Sequence, residues 1–126
     1  MSEGAHMRGK FWLLATPYTK YKHGHEAAYW LAVEQRGFLL RNKVPCFSPI
    51  VHAHHICHHC GFDVNDIPFW LMAEGPIRAH AYGMIFLLAD GSRESFGMKH
   101  ERDEFEALGR PVVEMTPFEL PDGLIV

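Results

Sequence analysis

Met84-Ile85-Phe86-Leu87-Leu88-Ala89-Asp90-Gly91-Ser92-Arg93-Glu94-Ser95-Phe96-Gly97-Met98-Lys99-His100-Glu101, running on to Gly109-Arg110-Pro111-Val112-Val113, is the stretch that decides the fold. Its opening apolar run, without polar alternation, predicts a strand buried on both faces. A glycine- and serine-bearing loop follows, then a helix over Met98 to Leu108 stopped by Gly109, then a strand over Pro111 to Met115. Strand, crossover helix and strand in this order specify a parallel sheet. Such sheets bind ligands outside the carboxyl ends of their strands, where loop amides and helix N-termini converge. The Asp90-to-Glu101 loop is therefore the first candidate for a ligand site.

Upstream, Phe11 to Ala15 predicts another buried strand, stopped at Thr16-Pro17-Tyr18 because proline cannot donate to a central ladder. His25 to Arg41 predicts a helix with Ala28, Leu31, Ala32 and Leu39 on one face. Val44-Pro45-Cys46-Phe47 is a short strand ending at Ser48-Pro49-Ile50, and a histidine-rich loop is expected over His52 to Cys60. An irregular helical segment spans Ile67 to Ala81, kinked or divided at Gly75-Pro76, and Tyr82 to Ala89 is the central strand. The tail from Thr116 to Val126 is expected to add an edge strand or cross a subunit interface. Strands alternating with helices predict an α/β fold, a small Rossmann-like (flavodoxin-like) parallel sheet with helices on both faces.

The chain has 126 residues, enough for one domain, expected over 11–126. Gly4-Ala5-His6-Met7 resembles a cloning remnant, so 1–10 is expected to be disordered or tag-derived. A hydrophobic content of 48% with mixed charges predicts a soluble globular protein, and a net charge of −3 offers no general basic surface to a nucleic-acid polymer. A small nucleotide needs only a local pocket. No apolar run is long enough to span a bilayer, no secretory leader is evident, and three cysteines lack the spacing of a disulfide framework. These features predict a cytoplasmic protein without a membrane partner.

Residue chemistry then marks candidates. Gly97 lets the backbone approach a ligand, Ser95 can donate to an oxygen, and Glu101 sits one turn into the helix facing the same crevice. Such a carboxylate can attack an anomeric carbon or act as a general base for water, and the spacing does not choose between them. The run Lys99 to Glu104 also has the composition of a solvated helix face. In the histidine-rich segment, His55, Cys57, His59 and Cys60 are a possible tetrahedral Zn²⁺ set, although all four fall within one short segment and no second Cys/His pair lies elsewhere. The competing reading puts His52 or His54 in a ligand pocket. Phe69 and Trp70 are the aromatic pair best placed to stack on a base, while Cys46 reads as an inert core residue.

Leu13-Leu14-Ala15-Thr16-Pro17-Tyr18, Phe47-Ser48-Pro49-Ile50 and Ser95-Phe96-Gly97-Met98-Lys99-His100-Glu101 leading to Gly109-Arg110-Pro111-Val112 occur in an order and spacing that resembles the nucleoside 2-deoxyribosyltransferase-like superfamily, in its small single-domain branch. The resemblance covers most of 11–115. It implies that Glu101 is a nucleophile forming a glycosyl intermediate, that Glu74 helps handle the nucleobase, and that Asp90 binds sugar hydroxyls or assists leaving-group protonation. It further implies a substrate pocket drawing on Thr16, Tyr18, Ser48, His52, His54, Trp70, Ser95 and Gly97. The expected ligand is a nucleoside or nucleoside monophosphate, with no redox cofactor, in a homo-oligomer. The loop from Asp90 to Glu101 departs from the compact acidic-glycine pattern of the transferases, and Ser95 with Lys99 or His100 suits a sugar phosphate. Alternatives are therefore a nucleotide N-glycohydrolase without transfer and a non-catalytic nucleotide-binding module with a His/Cys metal site.

Overall fold

A computed structural model describes residues 9–124; the expectation of a tag-derived start falls mostly on residues outside them. Four strands form one all-parallel sheet: β1 (Trp12–Ala15), β2 (Cys46–Phe47), β3 (Gly83–Leu87) and β4 (Val112–Met115), in the order β2-β1-β3-β4. Between them run α1 (His25–Arg41), α2 (Pro49–Cys60), α3 (Ile67–Ala73), α4 (Gly75–His80) and α5 (Phe96–Ala107). The order is that of a small flavodoxin-like α/β domain.

Two cores flank the sheet because side chains alternate along each strand. Trp12 and Leu14 of β1 join Ile85, Leu87 and Met115 on one face, covered by Leu31, Phe38 and Leu39 of α1. Leu13 and Ala15 join Met84 and Phe86 on the other, covered by Met98 and Phe105 of α5. Every residue of β1 and β3 is buried. The unalternating apolar runs seen in the sequence are the signature of this double covering.

Two expectations are corrected. The segment His52 to Cys60 is helix, not loop: the Ser48 hydroxyl accepts from the Val51 amide at 3.1 Å, Pro49 occupies the first turn, and Gly61 ends the helix at φ 78°. The tail over 116–124 adds no strand. It makes a turn, with the Phe118 amide donating to the buried Gln35 side chain at 2.9 Å and the Phe118 ring packing against Phe38. Gly75-Pro76 divides the irregular helix as expected, with Pro76 in the first turn of α4, where its missing N–H costs nothing.

Gly83 opens β3 where Trp12 and the Pro111 carbonyl close in. A Cβ there would lie 2.6 Å from the Trp12 ring and 2.7 Å from that backbone oxygen. Gly83→Ala is expected to lower stability by about 1–3 kcal/mol, read as a fall in the urea midpoint; an unchanged midpoint would show that the strand can shift to make room.

Candidate functional site

The strands stay parallel, but the order in which they are laid down reverses between β1 and β3, since α1 leads outward to β2 on one face and α5 outward to β4 on the other. A crevice opens at the carboxyl ends of strands flanking such a switch point. Here the floor is Ala15 and Thr16 at the end of β1, one side is Tyr18 and α2, and the other is α3 with the start of α5. The cleft's cavity volume is about 110 Å³. That is smaller than the roughly 300–1,000 Å³ of pockets that engulf drug-sized ligands, so the deep part suits one moiety of a ligand with the rest toward the mouth.

Helical periodicity explains what α2 contributes. Ile50, Ala53, His54 and Cys57 fall at i, i+3, i+4 and i+7 and face the cleft together. Ser48 does not line it, because its hydroxyl caps α2. His52 is exposed on another side of the helix, beside the Phe47 ring. The four residues of the zinc alternative diverge for the same reason: Cys57 is buried in the cleft, His59 and Cys60 are exposed, and His55 meets the Tyr29 hydroxyl at 3.0 Å. Among the described residues no three His, Cys, Asp or Glu side chains are grouped to hold a metal ion.

Asp90 also lies apart. Gly91, at φ 81°, packs tightly on the Lys20 carbonyl, and this turn carries Asp90 to the Lys22 amide, which donates to it at 3.0 Å. It anchors the β1–α1 loop and does not line the cleft. Ser92, unremarked in the sequence, locks the same turn by accepting from the Ala89 amide and donating to the Leu87 carbonyl.

Of the expected residues, Thr16, Tyr18, His54, Trp70, Glu74, Ser95, Gly97 and Glu101 all line the cleft. Glu74 sits at the junction where α3 ends and α4 begins, and Glu101 projects from the second turn of α5. Ser95 caps α5 by accepting from the Met98 amide. Both glutamates are buried. Burial pushes the Glu101 carboxyl up to about 8, helped by the charges of Glu74 and Glu104 and opposed by Arg78; burial pushes Glu74 up to about 7, again against Arg78. The two interact, so they titrate as a pair.

Arg78 had no part in the sequence reading, although its i,i+4 spacing from Glu74 was a signal. It is buried, its Nε donates to Glu104 at 3.2 Å, and its short helix is fixed by Arg110, whose guanidinium donates to the carbonyls of Arg78, Ala79 and Ala81. Four buried polar atoms in this region lack a hydrogen-bond partner among the described residues: Thr16 Oγ1, Trp70 Nε1, Glu74 Oε2 and Arg78 Nη1. Three belong to side chains that line the cleft. Unpaired buried groups are costly and rare, and their convergence marks a place where a polar ligand or water completes the bonding.

The match to known sequences follows this geometry. The chain belongs to the DUF1937 family, described as a domain of unknown function. The family model matches residues 10–117, a range that contains every cleft residue. No curated protein and no solved structure matches the chain. Among the described residues of this DUF1937 domain no helix is long and apolar enough to cross a membrane.

The raised carboxyl of Glu101 has a thermodynamic consequence. Between its ordinary value near 4.5 and about 8 the folded protein holds a proton that the unfolded chain has released, so stability falls as pH rises through that window. Glu101→Gln removes this cost. The variant is expected to match wild type below the window and to exceed it by a few kcal/mol above pH 8, the gap widening by about 1.4 kcal/mol for each pH unit crossed within the window. Urea unfolding across the range measures the gap, and a gap independent of pH would contradict the burial argument.

Proposed function

We propose that the cleft binds a nucleoside or nucleoside monophosphate and breaks its N-glycosidic bond, passing the sugar through a covalent ester to Glu101. The observation that carries this reading is the pair of buried carboxyls, Glu74 and Glu101, facing one largely apolar cleft at the switch point of the sheet. A carboxylate facing an apolar cleft is the nucleophile that glycosyl transfer through a covalent intermediate uses, and Glu74, at about 7, ionises before Glu101, at about 8. The resemblance of the strand-end motifs to the nucleoside 2-deoxyribosyltransferase-like superfamily supports the same reaction class.

In this reaction the ionised Glu101 attacks C1′ as the base departs, and water or a second base then releases the sugar. Glu74, whose value of about 7 lies below that of Glu101, ionises first and accepts a hydrogen bond from the ligand. Trp70 with Ile50, Ile67 and Leu71 supplies apolar surface for the base, and the unpaired Thr16 hydroxyl and Trp70 indole N–H bind polar edges of base or sugar. The mouth beside Ser95 and Gly97 receives the rest of the ligand, including a phosphate where one is present.

Base release from a panel of nucleosides and nucleoside monophosphates, with a different free base added, tests the reading. An exchanged nucleoside indicates transfer, and free sugar or sugar phosphate indicates hydrolysis. Glu101→Gln is expected to lose activity by at least roughly 10³-fold while remaining folded. Because the nucleophile must be ionised, the wild-type rate is expected to rise as pH passes from about 7 to about 8. Glu74→Gln deletes a like charge and moves that rise to lower pH. With a leaving group that needs no acid, a rate that falls through the same interval would overturn the nucleophilic mechanism.

A further inference from the structure

On the α2 side of the cleft, three side chains from three elements form one hydrogen-bonded chain. The Tyr18 hydroxyl lies 2.7 Å from His54 Nδ1, and His54 Nε2 lies 2.9 Å from Glu26 Oε2. Tyr18 and His54 line the cleft, whereas Glu26, near the start of α1, is exposed. His54 is only 2% exposed, and the Tyr29 ring is stacked on it at 4.4 Å. A histidine held this firmly, with a partner at each ring nitrogen, has its proton arrangement dictated by those partners.

An ionised carboxylate only accepts, so Nε2 carries a proton toward Glu26. Hydrogen bonding from His54 accordingly holds the Glu26 carboxyl below its usual value. Two states remain. With a neutral imidazole, Tyr18 donates to Nδ1 and presents oxygen lone pairs to the cleft. With an imidazolium, Nδ1 donates to Tyr18 and the phenolic proton is free to point at a ligand. Burial pushes the Tyr18 hydroxyl up to about 12, with Cys57 and Glu26 adding to the effect, so it acts as a neutral donor and not as a phenolate.

We propose that Tyr18, His54 and Glu26 form a proton relay in which Tyr18 is the acid that protonates the departing base and later the base that takes the proton back. The relay rests on the N-glycosidic reading of the cleft. As the C1′–N bond breaks, its electron pair goes to the base nitrogen, Tyr18 gives that nitrogen its hydroxyl proton, and Tyr18 takes a proton from His54 Nδ1. Neutral His54 keeps its Nε2 proton on Glu26. When water or a second base attacks C1′ of the sugar on Glu101, its proton passes through Tyr18 to His54 Nδ1 and the Glu101 carboxylate is released. Glu26 plays the orienting part of the carboxylate in a hydroxyl–imidazole–carboxylate triad, stabilising the imidazolium without being protonated. It is a positioning residue, and Tyr18 is the catalytic one.

Other groups also bear on the imidazolium. His25, from the start of α1, is stacked on Tyr18, and its own value is lowered by burial and then by His58 and His54. His55 and His58 flank His54 on α2. A pH profile alone would mix these titrations with those of the glutamate pair. The decisive measurement is therefore the dependence on leaving group.

A nitrophenyl glycoside of the same sugar expels a stable anion and needs no acid, whereas a nucleobase does. Tyr18→Phe, which keeps the ring, is expected to slow first-turnover base release from a nucleoside by about 10²–10⁴-fold and to leave the first-turnover burst of nitrophenol little changed. Glu26→Gln, on the surface, is expected to show the same selectivity to a smaller degree. Equal losses on both substrates in the first turnover would overturn the relay and leave the N-glycosidic reading standing; a wild-type protein inactive on both would overturn that reading and the leaving-group role with it. Imidazole ¹⁵N spectra of the ligand-free protein test the hydrogen-bonded chain directly. A neutral His54 is expected to carry its proton on Nε2, with an Nδ1 resonance that moves in Tyr18→Phe, and a proton on Nδ1 alone would overturn the relay whatever the activity.

Discussion

The complete burial of β1 is the constraint on which the rest of the architecture depends. Trp12 and Leu14 point into one core and Leu13 and Ala15 into the other, while β2 and β3 bond to its two edges. A four-residue strand enclosed on all sides has one exit at its carboxyl end, and Thr16-Pro17 takes it. Proline ends the ladder there, so the chain turns across the sheet edge and brings Tyr18 over the crevice. The same enclosure fixes β3 and with it the return through Ser95 into α5. Position in the cleft is thus inherited from core packing, a more rigid foundation than a free loop provides.

That foundation permits an arrangement a loosely packed protein would not tolerate. Two carboxyls and a guanidinium are removed from water beside apolar side chains, and several of their polar neighbours lack partners among the described residues. Each unpaired group has a cost in the free protein. The cost is offset by cores on both faces of the sheet and by Arg110, which ties the carbonyls at the end of α4 and so fixes Arg78. Stability is concentrated in the sheet and spent at its edge. Such a distribution is expected where ligand contacts replace missing internal ones.

The sheet was legible from sequence because a strand buried on both faces leaves a continuous apolar run, and the runs at Phe11 to Ala15 and Tyr82 to Ala89 are of that kind. The Glu101 site was legible through its loop and helix. What escaped was α2. Its many histidines obscure the 3.6-residue period, yet Ser48, Pro49 and Gly61 already stood at cap, first-turn and stop positions. Mistaking that helix for a loop hid the alignment of His54 with Cys57 and let four zinc-ligand types look convergent. Glu26 and Arg78 escaped for another reason: their partners, His54 and Glu104, are 28 and 26 positions away in the chain, and only tertiary packing pairs them. Asp90 was misplaced by a single glycine turn, whose direction sequence does not encode.

Charge balance supplies a last link between this packing and the proposed chemistry. Three glutamates, Glu74, Glu101 and Glu104, act on the same buried region as one guanidinium, Arg78. Full ionisation would leave a surplus of negative charge in a poorly solvated place, which is why the carboxyl pair retains a proton. A sugar losing its base develops positive charge at C1′ and the ring oxygen. Electrostatic stabilisation is strongest where the complementary charge is already fixed and water is excluded. On the proposed reading, the repulsion that makes a second ionised glutamate unfavourable in the empty cleft becomes attraction as the oxocarbenium-like state forms. The cationic His54 of the relay would oppose this if its charge remained. Passing its proton through Tyr18 to the departing base removes that charge as C1′ becomes positive, so proton transfer and charge stabilisation favour the same step.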